Sequence, residues 1–137
     1  MIETLLDTGP LLAFLDADDR LHEWVCEQWR SLPPPLIICE PVLTEAVFLL
    51  KSRGIDLDPL WELLRRGIVK IDFDVQEEFE AISVLMSRYA NLPMDLADAC
   101  LLRMTEKRRD LRVFTLDSDF KIYRRHGRQV VPLIFPD

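Results

Sequence analysis

The sequence predicts an α/β fold in three layers, with a parallel sheet of about five strands flanked by helices. Three observations predict it. Short apolar runs alternate with longer segments of helical periodicity from end to end. The first runs are short and apolar, which suits strands buried in a parallel sheet. The 137 residues are 49% hydrophobic, enough for a sizeable core and too apolar for a disordered chain. No internal repeat, linker or low-complexity stretch interrupts this pattern, so residues 1–137 are expected to form a single domain.

Residues 2–6 form the first expected strand. Thr8-Gly9-Pro10 then opens a helix to about residue 17, with Thr8 as N-cap and Pro10 in the first turn. Asp18 and Asp19 cap a second helix over about 20–30, which Pro33-Pro34-Pro35 stops. Residues 36–39 are a second buried strand. Pro41 starts a helix to about residue 53, closed by Gly54, and Asp58-Pro59 starts a shorter one to 66, closed by Gly67. Residues 68–73 make a third strand. Asp74 caps a long helix over 76–90, and 95–108 is another. Residues 112–115 are a fourth strand, 118–125 a short helix and 130–134 a fifth strand.

Composition narrows the function. No apolar run approaches the ~20 residues that span a bilayer, and the N-terminus lacks the basic start of a signal peptide. Cys26, Cys39 and Cys100 form no CxxC pair, which suits free thiols in a cytoplasmic protein. His22 and His126 lack the spacing of a zinc site. Phosphate-cradling GxxxxGK[ST] and GxGxxG loops are absent, as is the DxDxT of a phosphatase. Trp24 and Trp29, on the same expected helix, suit either an interface or the core. The net charge is −7, yet 103–128 holds nine Lys/Arg against four Asp/Glu, or +5, leaving −12 elsewhere. That basic third is either a solvated face or a support for a phosphate backbone.

Acidic residues punctuate the apolar segments. Asp7 follows the first strand and Asp117 the fourth, so both belong at the carboxyl edge of the sheet, where such folds bind ligands. Glu45 is the single charge among Val42, Ala46 and Leu49 at helical spacing. Asp95 and Asp98 begin a helix; capping accounts for Asp95 better than for Asp98, which Leu96, Ala97, Ala99, Leu101 and Leu102 surround. Asp117 and Asp119 both follow the fourth strand, and one of them can cap the next helix. Each acid alone has a structural explanation. Together they would repel one another, by roughly 4 kcal/mol for two charges 4 Å apart at an effective dielectric of 20. A hard divalent cation, Mg²⁺ or Mn²⁺, would resolve that repulsion and serve phosphodiester chemistry.

These motifs, Leu6-Asp7-Thr8, the helix with Glu45, Asp95-Leu-Ala-Asp-Ala99 and Thr115-Leu-Asp-Ser-Asp-Phe120, occur in an order and spacing that resembles PIN-domain ribonucleases. Within them the chain looks like the VapC-type toxins of toxin–antitoxin pairs. The resemblance implies a Mg²⁺- or Mn²⁺-dependent endoribonuclease, cytoplasmic and homodimeric, with an RNA substrate and a cognate antitoxin. It implies an acidic quartet of Asp7, Glu45, Asp98 and Asp117, with Asp119 as a further metal ligand or the alternative fourth one. Thr8, Asp95 and Thr115 match positions that support the site. Lys121, Arg124, Arg125 and Arg128 are candidate RNA contacts by charge alone. The alternatives are a PIN nuclease of RNA processing and an inactive PIN-like module that docks a partner.

Overall fold

In the computed structural model, which describes residues 2–108 and 110–137, the chain runs β1 (Glu3–Leu6), α1 (Thr8–Leu15), α2 (His22–Arg30), β2 (Leu36–Ile38), α3 (Glu40–Ser52), α4 (Asp58–Arg65) and β3 (Val69–Ile71). It continues through α5 (Val75–Arg88), α6 (Leu96–Lys107), β4 (Leu111–Phe114), a 3₁₀ turn (Ser118–Lys121), β5 (Arg124–Arg125), β6 (Gln129–Val130) and β7 (Leu133–Ile134). Five strands form the main sheet in the order β3-β2-β1-β4-β7, all parallel. Strand order places β1 at the centre, with Leu5 opposite Ile37 on one side and Val113 on the other. The expected parallel three-layer α/β fold is therefore what forms.

Side chains alternate across the strands, so each strand feeds two apolar layers. Leu5 and Ile37 face the layer that holds Val75 of α5 and Met104 of α6. Leu6 and Phe114 point the other way, and Trp24 of α2 stands edge-on to Phe114, with ring centres 5.9 Å apart. Trp29 stacks on Phe14 at 3.8 Å, so both tryptophans serve the core. Glu78 of α5 accepts hydrogen bonds from Arg103 (2.7 Å) and Lys107 (2.8 Å) of α6, which locks the two helices together. Cys39 after β2 and Cys100 of α6 are buried thiol to thiol, and that hydrogen bond pushes the Cys39 thiol up. All three cysteines are free.

Local departures from the expected elements have local causes. Asp7, not Thr8, is the N-cap of α1, because Thr8 already has helical geometry and its N–H donates to Asp7. The second helix starts at His22 rather than residue 20. Asp16 and Asp19 take the N–H groups of Asp18 and Leu21 into side-chain turns that delay it. The segment 118–125 is not one helix: a single 3₁₀ turn ends at Lys121, and Arg124–Arg125 pair antiparallel with Gln129–Val130. The expected fifth strand divides accordingly, since Gln129–Val130 closes this small hairpin and Leu133–Ile134 joins the main sheet.

Candidate active site

The end of β1 delivers Asp7 to the carboxyl edge of the sheet, where its side chain is only 7% exposed. Oδ1 accepts the Thr8 N–H at 2.8 Å and Oδ2 accepts the Thr115 hydroxyl at 2.7 Å. The same Thr115 oxygen accepts the Asp117 N–H at 3.0 Å, so one fully buried hydroxyl links the ends of β1 and β4. Burial raises the Asp7 carboxyl from the ordinary 3.8 to about 6, against its two hydrogen bonds and with a further push from Asp117 and Glu45.

Asp98, on the first turn of α6, is also 7% exposed. Asp95 caps that helix by accepting the Asp98 N–H at 2.8 Å, the role its position suggested. Burial first, then the charges of Asp95 and Asp7, raise the Asp98 carboxyl to about 8. Its Oδ2 accepts a hydrogen bond from the Tyr123 hydroxyl at 3.0 Å. Asp117 caps the 3₁₀ turn through the Asp119 N–H, at 2.9 Å. The charge of Asp117 reaches both Asp7 and Asp98, whereas that of Asp119 is felt at Tyr123. Glu45 is half-buried on α3, beside the buried Ala46, and its charge reaches Asp7. Glu45, Asp98 and Asp117 thus each lie within electrostatic reach of Asp7, from α3, α6 and the turn after β4.

The donor set fits a hard cation. It is all oxygen, and two of its carboxylates are held where a lone negative charge is unfavourable. The buried Thr8 hydroxyl next to Asp7 has no hydrogen-bond partner among the described residues. Among those residues, however, no three Asp, Glu, His or Cys groups already stand in metal-holding geometry. The acids share one edge without being drawn together. A groove of about 670 Å³ lies elsewhere, between the sheet and the facing ends of α5 and α6, and the quartet does not line it.

The basic third is less available than its sequence suggests. Arg103, Lys107 and Arg108 are in ion pairs with Glu78, Glu106, Glu3 and Asp72. Arg109 lies outside the described residues. Arg124 turns one guanidinium nitrogen onto the carbonyls of Lys121, Ile122 and Tyr123, at 2.8–3.0 Å. Lys121 is exposed, with Nζ 4.1 Å from the Phe135 ring centre, and Arg128 is exposed at the hairpin. Arg125 is half-buried next to it.

The PIN domain matches residues 4–125 of this sequence. The chain belongs to the PIN domain family. The PIN match spans every acidic residue of the site together with Thr8, Thr115 and Tyr123, and it stops short of Arg128. A similar protein is the ribonuclease VapC26 of Mycobacterium tuberculosis, 26% identical over 139 aligned residues that cover 94% of this chain and 93% of that one. The crystal structure of VapC20 from the same organism, described as a toxin that cleaves the sarcin-ricin loop, shares the fold. Its TM-score is 0.75 at 22% identity, over 95% of this chain and 100% of its own. Tyr123 is the site residue that sequence reasoning missed. A tyrosine in a basic stretch carries no sign of a carboxylate 25 positions away, although its place after Asp117 and Asp119 was a hint.

Proposed function

We propose that the chain is a VapC-type endoribonuclease, a Mg²⁺- or Mn²⁺-dependent hydrolase of RNA phosphodiester bonds that acts as the toxin partner of an antitoxin. The single observation that carries this reading is the pair Asp7 and Asp98. These buried carboxylates sit at one sheet edge, both held above the ordinary carboxylate range, with Glu45 and Asp117 in electrostatic reach. The family match and the likeness to ribonuclease VapC26 support it.

Asp7, Glu45, Asp98 and Asp117 would hold the cation, with Asp119 as a further ligand or the alternative fourth one. When bound, the cation supplies a water of lowered pKa and a positive charge against the scissile phosphate. The chain's own residues do the orienting. Thr115 and the Thr8 N–H each take one oxygen of Asp7, which fixes the plane of that carboxylate. Asp95 holds the first turn of α6 and with it the direction of Asp98. Lys121 and Arg128, both exposed, would be the basic residues that meet RNA phosphates.

Cleavage of RNA by chelator-treated protein, with and without added Mg²⁺ or Mn²⁺, tests the activity. Cleavage restored by the cation and lost in Asp98→Asn supports it, and metal-independent cutting overturns it. Light scattering tests the homodimer. Co-purification with the product of an adjacent small gene tests the antitoxin.

A further inference from the structure

Tyr123 has no part in the acidic set that the sequence suggested, yet it is held tightly at the site. Its ring is fully buried, edge-on to Phe120 at 5.1 Å and to Tyr89 at 5.0 Å between centres. Its hydroxyl donates to Asp98 Oδ2 at 3.0 Å. The Tyr89 hydroxyl accepts the Arg124 N–H at 3.0 Å, so the start of β5 is fastened to the same aromatic pair. A ring packed on two sides cannot swing its hydroxyl away from the carboxylate.

We propose that Tyr123 is a positioning residue for Asp98: by occupying Oδ2 it fixes the carboxylate plane and leaves Oδ1 to face a divalent cation. This rests on the metal-dependent reading above. The terminal torsion of an aspartate is broad, and its two oxygens offer about four acceptor sites, so an untethered Asp98 would sample several ligand poses. A neutral hydroxyl restricts those poses without cancelling the negative charge, as Lys or Arg would. Removing such a supporting hydrogen bond typically lowers metal affinity about 10–100-fold. A tyrosine that merely fills the core would not affect metal affinity once packing is preserved.

Mn²⁺ binding to the full chain, followed by electron paramagnetic resonance, tests the assignment alongside metal-free thermal melts. Tyr123→Phe should melt close to wild type and bind Mn²⁺ about 10–100-fold more weakly, while Tyr89→Phe should bind as wild type does. Unchanged Mn²⁺ affinity in Tyr123→Phe overturns the role of Tyr123 and leaves the nuclease reading standing. Wild-type protein that binds no Mn²⁺ overturns both. Should Tyr123→Phe fail to fold, the wild type still decides. The chain has 2 tyrosines, so ¹³Cζ-tyrosine labelling gives two signals, assigned with Tyr89→Phe. Mg²⁺ should shift the Tyr123 signal and leave that of Tyr89 nearly still. A Tyr123 signal indifferent to Mg²⁺ overturns the proposal.

Discussion

Asp7 and Asp98 keep their carboxyls where water scarcely reaches, and that sets the sign of two predictions. Both hold protons in the folded chain that the unfolded chain would release, since their ordinary 3.8 becomes about 6 and about 8. Their stabilising contribution is complete below about pH 4 and is lost as pH rises through 6 and then through 8. Metal-free protein should therefore melt at progressively lower temperature between about pH 4 and pH 8 and level off above that. For Asp7 the loss is on the order of 3 kcal/mol. A melting temperature that rises over that range would contradict the assignment. Asp98→Asn, which has no proton to release, should flatten the decline between pH 6 and pH 8 while abolishing RNA cleavage. Asp7→Asn should likewise stop cleavage and raise the metal-free melting temperature. If either variant melts far below wild type, its carboxylate is structural; if it cuts normally, it is not a ligand.

The hairpin β5–β6 sorts the basic residues into two kinds, and their substitutions should differ in kind. Lys121 and Arg128 are exposed, so replacing both with Ala should weaken RNA binding and reduce the salt slope by up to about 1.4, at ~0.7 per lost phosphate contact on a single strand. Binding across a salt series in an Asp98→Asn background measures this. Arg124→Ala should instead lower the melting temperature, with a cost of about 1–2 kcal/mol, because its guanidinium serves three main-chain carbonyls. An Arg124→Ala protein with an unchanged melt and a flattened salt slope would reverse the two roles. The sequence conveyed the sheet better than it conveyed this hairpin. Strands β1, β2 and β4 are short and mostly apolar, and Asp7 and Asp117 follow β1 and β4 by position alone. Two-residue strands have no periodicity to detect. The turn between them places His126 at φ 52°, in the left-handed region, where Asn or Gly would have been a plainer signal. The hydroxyl links Thr115–Asp7 and Tyr123–Asp98 join residues 108 and 25 apart in sequence, so only the folded chain brings them together.

Charge is distributed so that the fold uses up much of its own basic third. Arg103, Lys107 and Arg108 spend their charge on acids of α5, α6, β1 and the segment after β3, and the chain as a whole remains at −7. Such a molecule repels RNA except where a cation and a few exposed bases offset the acids. Metal should therefore act on folding, binding and cutting together. A ligand that binds only the folded state stabilises it by about 2.7 kcal/mol at a hundredfold excess over Kd, roughly 10 °C in melting temperature for a domain of this size. Chelator-treated protein titrated with Mg²⁺ or Mn²⁺ should show that rise. The rise should be larger at pH 8 than at pH 6, because the cation competes with the proton that Asp98 retains below about 8. RNA cleavage should appear over the same range of cation concentration. A chain that binds RNA yet neither gains stability from the cation nor cuts would be a PIN module that docks without catalysis. A chain that cuts equally well in chelator would leave the acidic quartet without the role its burial demands.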